Sequence, residues 1–218
     1  MFFYSSEEGG LSMIAIVDYG AGNLRSVQLA LARLRAHPVV TRDPDLLALA
    51  HGIILPGVGA FADAMAALRE SGVVPALLAA AAAGKPLLGI CLGMQALFDS
   101  SEEGEGAAGL GLIPGRVCRL PGCGLKIPHI GWNSLIPAKD DPMLDGLPAD
   151  PYVYFVHSYA CRADNPADVL AAVEYGVPFH AAVRRGNVIG MQFHPEKSGR
   201  VGERLLYNFL CLAEGEGR

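Results

Sequence analysis

The feature that most limits how this chain can fold is the alternation, through its first half, of short wholly apolar runs with segments whose apolar residues recur at helical spacing. Ile14 to Asp18 reads as a first strand, followed by a helix over Leu24 to Arg35 with Leu24, Val27, Leu31 and Leu34 on one stripe. Val39 to Thr41 is a second strand, and Asp43-Pro44 supplies an N-cap and a first-turn proline for a helix through Ala50. Ile53-Ile54-Leu55 is a third strand ending in the turn Pro56-Gly57-Val58-Gly59. Helices over Phe61 to Arg69 and Val74 to Ala83 follow, the latter closed by Gly84, before an apolar run from Pro86 leads to Cys91. A strand with no polar alternation must be covered on both faces, and strands separated by helices pair in parallel. The fold class is therefore α/β, a mostly parallel open sheet with helices on both faces.

After Ser100 helical periodicity fades and Gly and Pro increase. Short β-like segments at Arg116 to Leu120, Trp132 to Ile136, Tyr152 to Val156 and Val169 to Val173 predict an antiparallel extension of that sheet. Ala181 to Gly190 reads as a hairpin turning at Gly186-Asn187. Ser198 is placed to cap a last helix running to about Leu212, with Val201, Leu205, Leu206, Phe209 and Leu212 as its buried stripe. No repeat or linker divides the chain, so residues 13–218 are expected to form one domain. Residues 1–12 carry Glu7-Glu8 and little basic charge, unlike a signal or transit peptide, and read as a frayed or spurious leader before the first strand.

At 218 residues and 51% hydrophobic content the chain can bury a full core. The net charge of −5 is mild and the 17 lysines and arginines are scattered, which argues against nucleic acid or an anionic membrane surface as partner. The longest apolar stretch, Ala76 to Ala83, is too short to span a bilayer. Five cysteines at irregular intervals point to reduced thiols and a cytoplasmic protein. Cys118, Cys123 and His129 lack the paired spacing of a zinc site, so no metal is expected.

Within this frame one cysteine carries chemistry. Gly89-Ile90-Cys91-Leu92-Gly93-Met94-Gln95 places Cys91 where a buried strand turns sharply into a helix. Flanking glycines tolerate a strained elbow, and the helix start offers free N–H groups that favour thiolate over thiol. A buried cysteine is as often a small hydrophobe, so Cys91 alone does not decide. Phe193-His194-Pro195-Glu196 shifts the balance. In an extended segment His194 and Glu196 share one side, and the carboxylate can orient the imidazole while its other nitrogen meets a thiol brought in by the fold.

In open α/β sheets ligands sit beyond the carboxyl ends of the strands. Asp18-Tyr19-Gly20-Ala21-Gly22-Asn23, Pro56 to Gly59 and Cys91 all share that address. The first lacks the third glycine of a dinucleotide fingerprint, Arg25 standing in its place. Gly57 and Gly59 can aim backbone N–H groups at a developing oxyanion, with the Leu92 amide as a second donor.

Taken together, Pro56-Gly57-x-Gly59, Gly89-x-Cys91-x-Gly93-x-Gln95 and His194-Pro195-Glu196 resemble the class I, triad-type glutamine amidotransferases. Asp18 to Asn23, Pro128-His129-Ile130-Gly131-Trp132-Asn133, Tyr154-Phe155-Val156-His157-Ser158-Tyr159 and Lys197-Ser198 narrow the resemblance to the glutaminase subunits of imidazole glycerol phosphate synthase. It covers Met13 to about Cys211. It implies a flavodoxin-like sheet and hydrolysis of L-glutamine by Cys91, His194 and Glu196 without cofactor. Val58, Gly59 and Leu92 would form the oxyanion hole, and Gly57, Gln95, Glu103, Ser158 and Tyr159 would contact glutamine. Ser101-Glu102-Glu103 leaves either carboxylate open. The implied partner is the β/α-barrel cyclase subunit, bound as a heterodimer through Asn23, Trp132, Asn133, Tyr154 and Lys197 and receiving the ammonia. Trp132, in a half-buried strand, reads equally well as core. Glutaminases of anthranilate, pyridoxal phosphate or guanylate synthesis, a stand-alone cysteine peptidase and a non-catalytic subunit are the rival readings.

Overall fold

The computed structural model describes residues 12–104 and 106–215. Its first half follows the alternating pattern: β1 (Met13–Val17), α1 (Leu24–Arg33), β2 (His37–Thr41), α2 (Pro44–Leu49), β3 (Gly52–Gly57), α3 (Phe61–Glu70), α4 (Val74–Ala82), β4 (Leu87–Cys91) and α5 (Leu92–Ala96). The Asp43 carboxylate accepts from the Asp45 N–H at 2.9 Å, the expected cap of α2. β3 runs on through Pro56 and Gly57, residues assigned from sequence to the turn, because Gly57 is still in register with Cys91 on β4.

The second half adds β5 (Phe98–Ser101), β6 (Ile113–Arg119), β7 (His129–Ser134), β8 (Ile136–Pro137), β9 (Tyr152–His157), β10 (Tyr159–Ala163), β11 (Val169–Tyr175), β12 (Val177–Arg185), β13 (Val188–Met191) and α6 (Gly199–Glu214). The main sheet has the order β2-β1-β3-β4-β13-β12-β11-β8. β2, β1, β3, β4 and β13 pair in parallel, and β12, β11 and β8 continue the sheet antiparallel.

The antiparallel extension is narrower than the sequence predicts. β6 leaves the main sheet to pair with β10 and β5, and β7 with β9 forms a separate two-stranded ribbon. In β9, Val153, Phe155 and His157 are buried while Tyr152 and Val156 face outward, so the ribbon packs on the body of the fold by one face only. The β12–β13 turn falls at Gly186-Asn187 as expected, Arg185 pairing with Val188.

Alternate residues of the central strands feed two cores. Ile14, Ile16, Ile54, Leu88 and Ile90 pack toward Leu31 of α1 and Leu205 and Phe209 of α6. Ala15, Val17, Ile53, Leu55 and Leu87 pack toward Leu47, Phe61, Leu68 and Leu77 of α2 to α4. Each fully buried Leu, Ile or Phe stabilises the sandwich by about 1.5–3 kcal/mol. Among the described residues no single helix is long and apolar enough to cross a membrane.

Of the leader, residues 1–11 lie outside the described residues. Ser12 corrects the boundary: it is buried, its hydroxyl donates to Glu214 at 2.5 Å, and its carbonyl accepts from the His37 N–H. It belongs to the folded domain because it starts the β1–β2 register.

Candidate active site

β3 and β4 end side by side, and the site is built on that juncture. Cys91 stands at φ 54°, ψ −110°, a conformation that non-glycine residues rarely adopt and that costs about 1–3 kcal/mol. The two neighbouring glycines are dictated by packing. A Cβ on Gly93 would lie 1.8 Å from the Leu55 carbonyl oxygen, and one on Gly89 would lie 2.6 Å from the Gly93 oxygen. Only bare backbone lets the start of α5 close onto β3 and β4, which turns the sulfur outward over the strand ends. α5 has five residues, so the N–H groups of its first turn, rather than a long helix dipole, supply the positive potential there.

His194 and Glu196 arrive by a different local geometry from the expected extended one. Pro195–Lys197 forms a single 3-10 turn, with the Lys197 N–H donating to the His194 carbonyl, and the turn folds Glu196 back onto the ring. His194 Nδ1 and Glu196 Oε1 are 2.9 Å apart, with side chains 3% and 1% exposed. Because a carboxylate only accepts, Nδ1 carries the proton, which leaves Nε2 to face the thiol. Burial pushes the imidazolium pKa down, but Cys91 and Glu196 outweigh it and raise the value to about 9. Among the described residues neither Nε2 nor Glu196 Oε2 has a hydrogen-bond partner within normal reach, while Cys91 stands near enough to raise the pKa of the ring.

Ser198 was expected to cap α6 through its side chain and does not. Its hydroxyl instead donates to the His194 carbonyl at 2.6 Å and accepts from the Tyr154 N–H at 3.0 Å. The His194 N–H returns to the Tyr154 carbonyl at 3.0 Å. The backbone of His194 is thereby tied to β9.

A cavity of about 400 Å³ opens over Cys91, large enough for an amino acid and its hydration. Val58, Gly59, Leu92, Gln95, Glu103, Ser158 and Tyr159 line it together with His194. Gly57 lies in the adjoining crevice with Asn23, His194 and Glu196. The structure separates the two carboxylates left open by sequence. Glu103 lines the cavity and accepts from the Phe61 N–H at 2.8 Å, capping α3, whereas Glu102 accepts from the Arg119 N–H.

The candidate interface residues divide. Trp132 is 55% exposed, which removes the core alternative, and it meets Tyr154 edge-on at 6.0 Å across the β7–β9 ribbon. Asn23 and Lys197 are exposed. Asn133 is half-buried, and its amide donates to the Glu174 carbonyl at 3.0 Å, fastening the ribbon to β11.

Three polar residues near the site escaped sequence reasoning. Gln192 is fully buried beside Cys91, and His157 lines the cavity with His129 behind it, Nδ1 to Nε2 3.0 Å. His129 and His157 stood inside recognised motifs, but nothing in a linear string pairs them across 28 residues. Gln192, flanked by Met191 and Phe193, was indistinguishable from a strand position.

Residues 15–213 match the model of the class I glutamine amidotransferase family. The chain is 54% identical over 197 residues to the imidazole glycerol phosphate synthase subunit HisH of Desulfitobacterium hafniense strain DSM 10664 / DCB-2, covering 90% of this chain and 93% of that protein. It is 50% identical to the HisH subunit of Geobacillus sp. strain WCH70, with 94% and 99% covered. Among solved structures, PurLQS from Thermotoga maritima superposes with a TM-score of 0.74 at 22% identity over 93% of this chain and 99% of that one, a likeness of fold. Matched along nearly its whole length both to the family and to these subunits, the chain belongs to the class I glutamine amidotransferases and, within them, to the HisH subunits.

Proposed function

We propose that this protein is the glutaminase half of imidazole glycerol phosphate synthase, with Cys91, His194 and Glu196 as its catalytic triad. Cys91 gives its thiol proton to His194 Nε2, and the resulting thiolate attacks the side-chain amide carbon of L-glutamine. The N–H groups of Val58, Gly59 and Leu92 hold the oxyanion, and His194 gives its Nε2 proton to the departing nitrogen, so that the C–N bond breaks and ammonia leaves. His194 then takes a proton from water, the hydroxide attacks the thioester, and the thiolate departs to leave glutamate. Glu196 keeps the imidazole in the Nδ1–H tautomer throughout. Gly57, Gln95, Glu103, Ser158 and Tyr159 surround the substrate.

The observation that carries this reading is the convergence of a strained cysteine elbow and a carboxylate-held imidazole at the mouth of one amino-acid-sized cavity. The ammonia passes to a β/α-barrel cyclase bound as a heterodimer in the cytoplasm, a step of histidine biosynthesis. Trp132 and Tyr154 on the exposed ribbon, with Asn23 and Lys197, form the docking face, consistent with the enrichment of aromatic residues at interface hot spots.

The test is Cys91→Ala in the complex with the cyclase. Glutamine-dependent synthesis should vanish while ammonia-supported synthesis persists, because the cyclase needs only free ammonia. Continued use of glutamine by that variant would remove Cys91 as the nucleophile.

A further inference from the structure

Gln192 is wholly buried just after β13, and its Nε2 lies 3.9 Å from Cys91 Sγ. The surrounding network settles which end of its amide faces the sulfur. The Tyr159 carbonyl can only accept, so the group of Gln95 lying 3.1 Å from it must be the NH2. That same NH2 lies 3.2 Å from Gln192, which must therefore present its oxygen there and turn its own NH2 toward Cys91. The Tyr159 carbonyl is held in turn by His157, whose Nδ1 lies 2.8 Å away and must donate. His157 Nε2 is then the acceptor for His129 Nδ1. No group in the series is left with a choice of tautomer or rotamer.

We propose that Gln192 is a further catalytic residue of the glutaminase site, donating an amide N–H to the Cys91 sulfur so that the nucleophile is oriented and its thiolate stabilised. This rests on the reading of Cys91 as nucleophile. A sulfur that must become anionic in a buried setting needs donors, and α5 starts directly after Cys91 with only backbone N–H groups free in its first turn. Gln192 adds a neutral side-chain donor within reach of the sulfur. A cation there would compete with His194 for the proton balance of the site, whereas an amide neither gains nor loses a proton. Among the described residues the titratable side chains electrostatically coupled to Cys91 are His194, Tyr19 and Cys161, none of which is altered in the test below.

The experiment measures alkylation of Cys91 by iodoacetamide against pH in the full chain, read by mass spectrometry of the Cys91 peptide, for Gln192→Met and Gln192→Asn. Methionine fills the space without a donor. Asparagine keeps an amide within the polar network but is too short to reach the sulfur, and serves if the methionine variant fails to fold. Loss of a hydrogen bond to an anion should move the alkylation midpoint up by about one pH unit, a roughly tenfold slower reaction below it. In the complex with the cyclase, kcat for glutamine should fall by a similar factor with KM changed less than about twofold. An unshifted alkylation profile in a folded variant overturns the proposal. Failure of the Cys91 reading itself would instead appear as glutamine use by Cys91→Ala.

Discussion

Two strand ends that lie side by side behave as opposites. At the end of β4 the chain is wedged: Cys91 is held in a strained conformation, and side chains on Gly89 or Gly93 would strike backbone within 3 Å. At the end of β3, one register position away, Val58 is 45% exposed and a Cβ on Gly59 would meet nothing within 4 Å, although Gly59 stands at φ +101°. The proposed nucleophile is fixed by packing and the proposed oxyanion segment at Val58-Gly59 is not. Strain at Cys91 can be stored only because the surrounding backbone over-determines it, while a two-state element needs an unpacked side. On the proposed roles, control over the site would act on the Val58-Gly59 donors and leave the thiol in place.

The comparison breaks first at Gly93. Gly93→Ala drives a Cβ into the Leu55 carbonyl, and relief requires β3 and α5 to part, so a loss of more than about 4 kcal/mol and little soluble protein are expected. A Gly93→Ala variant that expresses and melts normally would show the elbow to be adaptable. Next in size is activation. If the Val58 amide reaches the oxyanion only when the partner's site is occupied, glutamine turnover should rise about 10²–10³-fold as ligand is titrated into the complex, equivalent to about 3–4 kcal/mol from one donor. Stimulation below about threefold, with the isolated subunit already fast, would end the two-state view of Val58-Gly59.

The fixed side should also leave a signature in acid. Burial lowers the His157 pKa to about 4, with His129 and His194 adding to the effect against the Tyr159 carbonyl. The unfolded chain takes up this proton near pH 6.5, so stability contributed by neutral His157 is complete above that value and is lost as pH falls toward 4, about 3 kcal/mol in all. Urea midpoints at pH 7 and pH 4.5 should therefore diverge less in His157→Gln than in the parent. Equal divergence would mean that the pair does not hold its neutral form. The smallest effect belongs to Gly59→Ala, where only the positive φ resists. About 1 kcal/mol of stability should be lost, with a larger fall in kcat than in melting temperature, since the donor geometry is what shifts. Turnover unchanged in that variant would separate Gly59 from the oxyanion.

How far such positions can be anticipated depends on the range of the interactions that set them. The alternation of strands and helices, the Asp43 cap, the hairpin at Gly186-Asn187 and the glycine-flanked elbow were legible because each arises from neighbours along the chain, through periodicity, turn chemistry or local sterics. The separation of β6, β7 and β9 from the main sheet was not, because strand pairing is decided by which covered faces are available after collapse. The same holds for the site. Cys91, His194 and Glu196 stand in motifs whose spacing already carries the chemistry. Only the tertiary structure decided that Glu103 and not Glu102 lines the cavity, that Ser198 ties His194 to β9 rather than capping α6, and that Gln192 meets a sulfur 101 residues away. Their roles come from hydrogen-bond partners brought together across the fold, and a side chain's own neighbours in sequence hold no record of those partners.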